Sequence, residues 1–286
     1  MNSQAEVIPY ELPAWTEAAH DDRAVHFRRS LMQFRDQFAQ LLNRYPTSAQ
    51  HSMELDAVID AYTAFVTNTD HELLWTELMQ PSSVAEELTK LAAELRASSS
   101  LCVGIAEKYR ALKLLSGHTE GSDYFHHVEA SIGEPFGSFP LTSDSTVIWI
   151  GSGAFPMTAL FLARQTGATI IGIDIDAEAI SLGRKVVERL GAGLDIRLEL
   201  APAEQLPEIG KATHLIFSST VPEKFELLDQ LHACTGRQIV AAVRYGNGLK
   251  SLFNYPMAAV DERKWRLAEH VSRSGRVFDL ALYQQA

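Results

Sequence analysis

A chain of 286 residues is about two domains long, and 46% hydrophobic with 21% charged residues is the balance of an ordinary soluble globular protein. The net charge of −11 argues against a nucleic-acid backbone or an anionic membrane as partner. No apolar run approaches the roughly 18 residues of a spanning helix, no basic-then-apolar leader opens the chain, and Cys102 and Cys234 fit neither a disulfide framework nor a metal spacing, so a reducing cytoplasm is expected.

The first half reads as helical. Phe27, Leu31, Phe34, Phe38, Leu41 and Leu42 recur at helical spacing and stop at Tyr45-Pro46. Leu55, Val58, Ile59, Tyr62, Phe65 and Val66 form a second stripe. Ser82-Ser83 opens a third helix, with Glu86 placed as in a capping box. Ser98-Ser99-Ser100 is expected to separate it from a fourth, over about 101–116, closed by Gly117. The aromatic and Met32 side chains of these stripes are expected in a packed core. Segment 131–145, with Gly133, Pro135, Gly137 and Pro140, reads as a connector.

Beyond residue 140 strands and helices alternate. Strands are expected near 146–150, 169–174, 195–200, 213–218, 238–243 and 276–283, with a weaker one near 267–272. Helices are expected near 155–166, 177–190 and 222–233. The fold class is α/β: a helical bundle over 1–140, then over 141–286 a Rossmann-like, doubly wound and mostly parallel sheet.

The run Val147–Ile150 ends in Gly151-Ser152-Gly153 and passes into a helix; the run Ile170–Ile173 ends on Asp174. This is the first half of a nucleotide-binding unit, with Asp174 placed to accept from ribose hydroxyls. Pro156 stands where a dinucleotide fold has its third glycine, which argues against NAD or FAD and suits a ligand without phosphates. S-adenosylmethionine is such a ligand, on a fold of the adenosylmethionine-dependent methyltransferase kind. Asp176 reads as the cap of the next helix. The loop Ala201-Pro202-Ala203-Glu204 would edge the adenine, with backbone groups in place of the acidic residue that Pro202 replaces. The cofactor set is Gly151, Ser152, Gly153, Asp174, Ala203 and Ser218. Ser152, Ser218 and Ser219 lack the His/Asp partners of a nucleophile and read as hydrogen-bonding groups of ligand loops.

Gly151-Ser152-Gly153-Ala154-Phe155-Pro156-Met157-Thr158 resembles the Gly-Ser-Gly-x-x-Pro-x-Thr turn of nicotianamine synthases, and the segment from Arg244 through Gly248, Leu252 and Asn254 to Tyr255-Pro256 is similar to one that follows their fifth strand. The likeness covers about 146–284. In the helical half Glu107 and Asp123-Tyr124-Phe125 stand where that family carries a functional glutamate and a paired-tyrosine motif; Phe125 replaces the second tyrosine, and the asparagine that follows it is missing. The resemblance implies transfer of the 3-amino-3-carboxypropyl (aminobutanoyl) arm of S-adenosylmethionine, with release of methylthioadenosine. The departures imply the bacterial branch that adds one such unit to the α-amine of an amino acid, histidine above all, in opine-type metallophore biosynthesis. A downstream opine dehydrogenase is the implied pathway partner; a homodimer and the preferred enantiomer are left open. The alternative is a small-molecule methyltransferase on the same fold.

Glu107 is the first candidate for base or amine anchor; its bland alternative is a solvated residue paired with Lys108 or Arg110. Tyr124 would orient the amine or the donor carboxylate, or merely wedge the interface. Glu134 would share the polar work, or only decorate the connector. Arg244 would hold a substrate carboxylate, or form a structural ion pair. Among the ten histidines, adjacent His126-His127 point about 100° apart on a helix and make a poor chelate, His118 lies in a Gly-flanked loop, and no metal site is expected.

Overall fold

The computed structural model describes residues 17–44, 51–118, 136–272 and 275–286. Four helices come first: α1 (Glu17–Arg44), α2 (His51–Val66), α3 (Thr69–Leu78) and α4 (Ser83–Leu115). The stripes of α1 and α2 are buried as their spacing requires, with Phe34 packing on Tyr62 at 4.9 Å between ring centroids. Met32, expected in that core, is instead 44% exposed. Helix α3 carries no long stripe and was not expected. Its signal is a cap: the Asn68 side chain accepts from the backbone N–H of Asp70 at 2.8 Å and of His71 at 3.3 Å.

The division at Ser98–Ser100 is corrected. Residues 83–115 form one helix of 33 residues, about 50 Å long at 1.5 Å per residue. Ser99 is buried, and its hydroxyl donates to the Arg96 carbonyl, so it bonds to the helix's own backbone rather than interrupting it. Leu95, Cys102, Val103 and Ala106 carry the apolar stripe across the serines. Ser82 caps the start, accepting from the Ala85 N–H at 3.2 Å.

The second half is a seven-stranded sheet in the order β3-β2-β1-β4-β5-β7-β6. The strands are β1 (Thr146–Ile150), β2 (Thr169–Asp174), β3 (Ile196–Leu200), β4 (His214–Phe217), β5 (Val240–Tyr245), β6 (Trp265–Val271) and β7 (Asp279–Gln285). The first five are parallel; β7 runs antiparallel to β5 and β6. The weak run near 267–272 is therefore a full edge strand, irregular between Leu267 and Glu269. Helices α5 (Met157–Thr166), α6 (Ala177–Leu190) and α7 (Lys224–Leu231) complete the α/β layers. The chain winds from β1 to β3 on one side and returns through β4 and β5 on the other, which opens a crevice at the strand ends above β1 and β4.

The two halves share a core. Leu249, Leu252, Phe253, Val277 and Phe278 pack among the helical residues. The segment after β5 makes the junction through a short turn, Gly248–Leu252. Tyr62 Oη donates to the Leu252 carbonyl at 2.8 Å, and Arg96 to that of Ser251 at 2.5 Å. Lys250 pairs with Asp279 at 2.6 Å, both side chains about nine-tenths buried. The Tyr255 ring is faced by Arg96 at 5.1 Å and by Lys224 at 5.5 Å. A Cβ at Gly246 would lie 2.6 Å from the Lys250 carbonyl oxygen, so this bend requires glycine. Most of the Arg244–Pro256 segment is thus a structural staple.

Candidate active site

A cavity of about 520 Å³ occupies the crevice between the strand ends and α4. Gly151 and Gly153 form the turn beneath it, both in the left-handed region at φ 79° and 67°. The N–H of Gly151 donates to the Ile173 carbonyl at 2.9 Å, which joins the turn to β2. A Cβ on Gly151 would lie 2.8 Å from Val221 Cγ2. The Asp174 carboxylate accepts from the Gly153 N–H at 2.9 Å with one oxygen and from the Asp176 N–H at 3.0 Å with the other. Asp174 therefore shapes the turn as well as facing the cavity. Asp176 caps α6 as expected, accepting from Glu178 and Ala179.

Five of the six expected cofactor residues line the cavity: Gly151, Gly153, Asp174, Ala203 and Ser218. Ser152 does not; its side chain lies against Gly172 of β2, and its buried hydroxyl has no hydrogen-bond partner among the described residues. Ser218 donates its one proton to the Gly151 carbonyl at 2.7 Å and accepts from the Trp149 indole at 3.0 Å. Its geometry is that of a brace for the turn. Ala203 is buried in a short turn with Pro202 and Glu204 beside it on the cavity wall.

Glu107 reaches the site from α4. Its carboxyl lies so close to Gly153 that a Cβ there would collide with it. Although Glu107 keeps some contact with the cavity, the protein atoms crowded around its carboxyl push its pKa up to about 8; burial is the largest cause and the Asp174 charge the second, opposed by the Ala154 N–H and by Arg110. Lys108 is committed elsewhere, pairing with Asp176 and Glu178 at 2.7 Å each and pinning α4 to the start of α6. Arg110 lies over the Phe155 ring at 4.8 Å. The solvated alternative for Glu107 does not describe this arrangement.

At the other end of the cavity stands Arg244, the last residue but one of β5, only 5% exposed. Its Nη2 is 3.4 Å from Thr158 Oγ1, and its guanidinium lies over the Phe278 ring at 4.8 Å. Trp149, Thr158, Phe278, Val221 and Ile175 also line the cavity and are absent from the expected set. Thr158 closes the motif quoted above, which was its only signal; nothing local marks Phe278. Tyr124, Glu134, Phe125 and the His126-His127 pair lie outside the described residues. Among the described residues no group of three or more His, Cys, Asp or Glu side chains could hold a metal ion, and no helix is long and apolar enough to cross a membrane.

No family model matches the chain. Curated relatives do. An L-histidine 2-aminobutanoyltransferase of Pseudomonas aeruginosa is 30% identical over 208 residues, 72% of this chain and 78% of that protein. One of Yersinia pestis is 31% identical over 202 residues, 70% and 74% of the two chains. Among solved structures, MtNAS in complex with MTA and tNA superposes with a TM-score of 0.71 at 14% identity, covering 91% of this chain and 98% of that one. A glutamate-to-glutamine variant of MtNAS in complex with S-adenosylmethionine gives 0.63 at 14% identity, over 88% and 98%. The solved structures establish a common fold across both halves, and the curated relatives go further: the chain belongs to the L-histidine 2-aminobutanoyltransferase family.

Proposed function

We propose that this chain transfers the aminobutanoyl arm of S-adenosylmethionine to the α-amine of histidine, releasing methylthioadenosine, as a step of opine-metallophore biosynthesis. The observation that carries the reading is Glu107, a carboxyl delivered by the helical half to the glycine turn of the other. Residues 1–140 supply the lid and acceptor wall, and 141–286 hold the donor. The enzyme acts in the cytoplasm, and an opine dehydrogenase takes up its product.

Asp174 and the Gly151–Gly153 turn hold the nucleoside, with the sulfonium above the turn. The amine attacks the methylene carbon next to sulfur; the N–C bond forms, and the C–S electron pair leaves on sulfur. The amine then carries one proton too many, and Glu107 accepts it. At pH 7 a carboxyl with a pKa of about 8 holds its own proton. The sulfonium and α-ammonium of the donor brought beside it favour the ionised form, so Glu107 releases its own proton to solvent when the donor binds and is then free to take the one from the attacking neutral amine. Holding amine and methylene in line contributes most, on the order of 7–11 kcal/mol in favourable cases. Tyr124 and Glu134 would orient the amine or the donor carboxylate.

Incubation with S-adenosylmethionine and L-histidine tests the reading by product. Methylthioadenosine is expected; S-adenosylhomocysteine would establish a methyltransferase instead. Asp174→Ala is expected to weaken methylthioadenosine binding about 100-fold, since it removes a half-buried carboxylate acceptor from the ribose and from the Gly153 N–H together. Calorimetric titration measures this, and unchanged affinity would place the ribose elsewhere.

A further inference from the structure

Two carboxyl groups, one from each half of the protein, converge on a single residue of the glycine turn. Asp174, at the end of β2, accepts from the Gly153 N–H at 2.9 Å. Glu107, delivered by α4, lies so close to the same glycine that a Cβ there would meet its carboxyl. Both line the cavity. Burial, and after it the Asp174 charge, push the Glu107 carboxyl up to about 8.

The charged groups around the pair leave it short of positive charge. Lys108, one residue on from Glu107, is held by Asp176 and Glu178 at the start of α6, at 2.7 Å each. Arg110 lies over the Phe155 ring at 4.8 Å, and it lowers the Glu107 pKa by less than Asp174 raises it. The Ala154 N–H is the other group that favours the charged carboxylate. Among the described residues, the acidic side chains lining the cavity are Glu107, Asp174, Asp176, Glu204 and Glu223, and the basic ones are Lys108 and Arg244. A carboxyl in that setting gains most from a ligand that brings its own positive charge.

The two nucleosides that the reaction exchanges differ in that respect. S-adenosylmethionine carries a sulfonium, and methylthioadenosine is a neutral thioether. We propose that Glu107 and Asp174 together form a charge-reading subsite that holds the sulfonium donor and lets the neutral thioether product go. The inference rests on the transferase reading above and deepens it.

The protons balance. Glu107 gives one to solvent as the sulfonium arrives. Displacement leaves the electron pair of the C–S bond on sulfur and a surplus proton on the newly alkylated amine. Glu107 takes that proton, so an uncharged sulfur then faces a neutral carboxyl. The proton lost when the donor binds is the one that the net reaction releases. Attraction for the nucleoside therefore ends with the chemistry.

S-adenosylhomocysteine is the probe, because it keeps the adenosine and the whole amino acid arm and lacks only the methyl group and the charge. Calorimetric titration at pH 7 compares it with S-adenosylmethionine in the parent and in Glu107→Gln. The parent is expected to prefer S-adenosylmethionine by about 100-fold, and Glu107→Gln to cut this to about 10-fold or less by weakening S-adenosylmethionine alone. Affinities for S-adenosylhomocysteine and methylthioadenosine should be the same in both proteins, which a general loss of structure would not allow. Asp174 also holds the Gly153 N–H, so its removal would weaken every nucleoside, and Glu107 carries the test. Titration in buffers of different ionisation enthalpy counts protons. S-adenosylmethionine should release about one more from the parent than from Glu107→Gln, and S-adenosylhomocysteine should show no such difference. Equal preference in the two proteins would overturn the proposal, and so would equal proton release. A parent that yields methylthioadenosine with histidine but shows neither effect overturns this inference alone. One that binds no S-adenosylmethionine overturns the transferase reading, and this inference with it.

Discussion

Glu107→Gln is expected to lower kcat by ~10²–10⁴-fold, the usual contribution of a positioned proton acceptor, and to leave methylthioadenosine affinity nearly intact. The same substitution should stabilise the protein at alkaline pH. In the folded chain the Glu107 carboxyl titrates at about 8, against an ordinary 4.5. Between those values the folded state holds a proton that the unfolded state has released, so stability falls as pH rises through this window. Glutamine has no proton to lose and can still accept from the Ala154 N–H, so the variant lacks this slope. Above pH 8 it should exceed the parent by on the order of 2 kcal/mol, a few degrees in Tm. Lys224, buried beside Tyr255 and drawn down to about 7, works in the opposite direction: folding becomes more favourable as pH rises above 7 towards its ordinary 10.5. Both proteins contain Lys224, so the difference between their melting curves isolates Glu107. Parallel pH–stability profiles would show that Glu107 is not held protonated, and unchanged kcat would remove it from the proton transfer.

Gly153→Ala places a methyl group where the Glu107 carboxyl lies. At φ 67° an L-side chain costs about 1–2 kcal/mol, and this Cβ would also run into the Glu107 carboxyl. Either the turn shifts from Asp174 or Glu107 moves off the cavity, and a displacement of about 1 Å can cost 10²-fold in rate. We expect kcat/KM to fall about 1,000-fold, with methylthioadenosine binding weakened about 10-fold. The double variant Gly153→Ala/Glu107→Ala separates the causes. Removing the carboxyl relieves the collision, so nucleoside affinity should recover in part while turnover stays low. If Gly153→Ala alone retains full turnover, Glu107 does not sit against the turn during the reaction.

The glycine turn and the carboxylate beside it were legible because their signals are local. Five residues of β1, two glycines with positive φ and an acid at the end of β2 are read from a few consecutive positions, and Asp176 as a helix cap from fewer still. Helix α3 was missed because Asn68 is a cap without a stripe behind it. The break at Ser98–Ser100 was wrongly expected because serine's preference for interrupting a helix depends on where its hydroxyl can bond, and Ser99 bonds back to Arg96. Ser152 shares a motif with Gly151 and Gly153, yet its side chain faces the opposite way, against β2.

By itself the sequence determined the alternation of strands and helices beyond residue 140, the glycine turn and the carboxylate beside it, since each is specified by residues within one or two turns of one another. The tertiary structure decided the rest. That Glu107 presses on Gly153, that Arg244 lies on Phe278 with Thr158 at its edge, and that most of the Arg244–Pro256 segment is a staple are contacts between distant parts of the chain. They depend on which face of α4 docks against the strand ends and on which strand lies beside which. Packing chooses those, and no short stretch of residues encodes them.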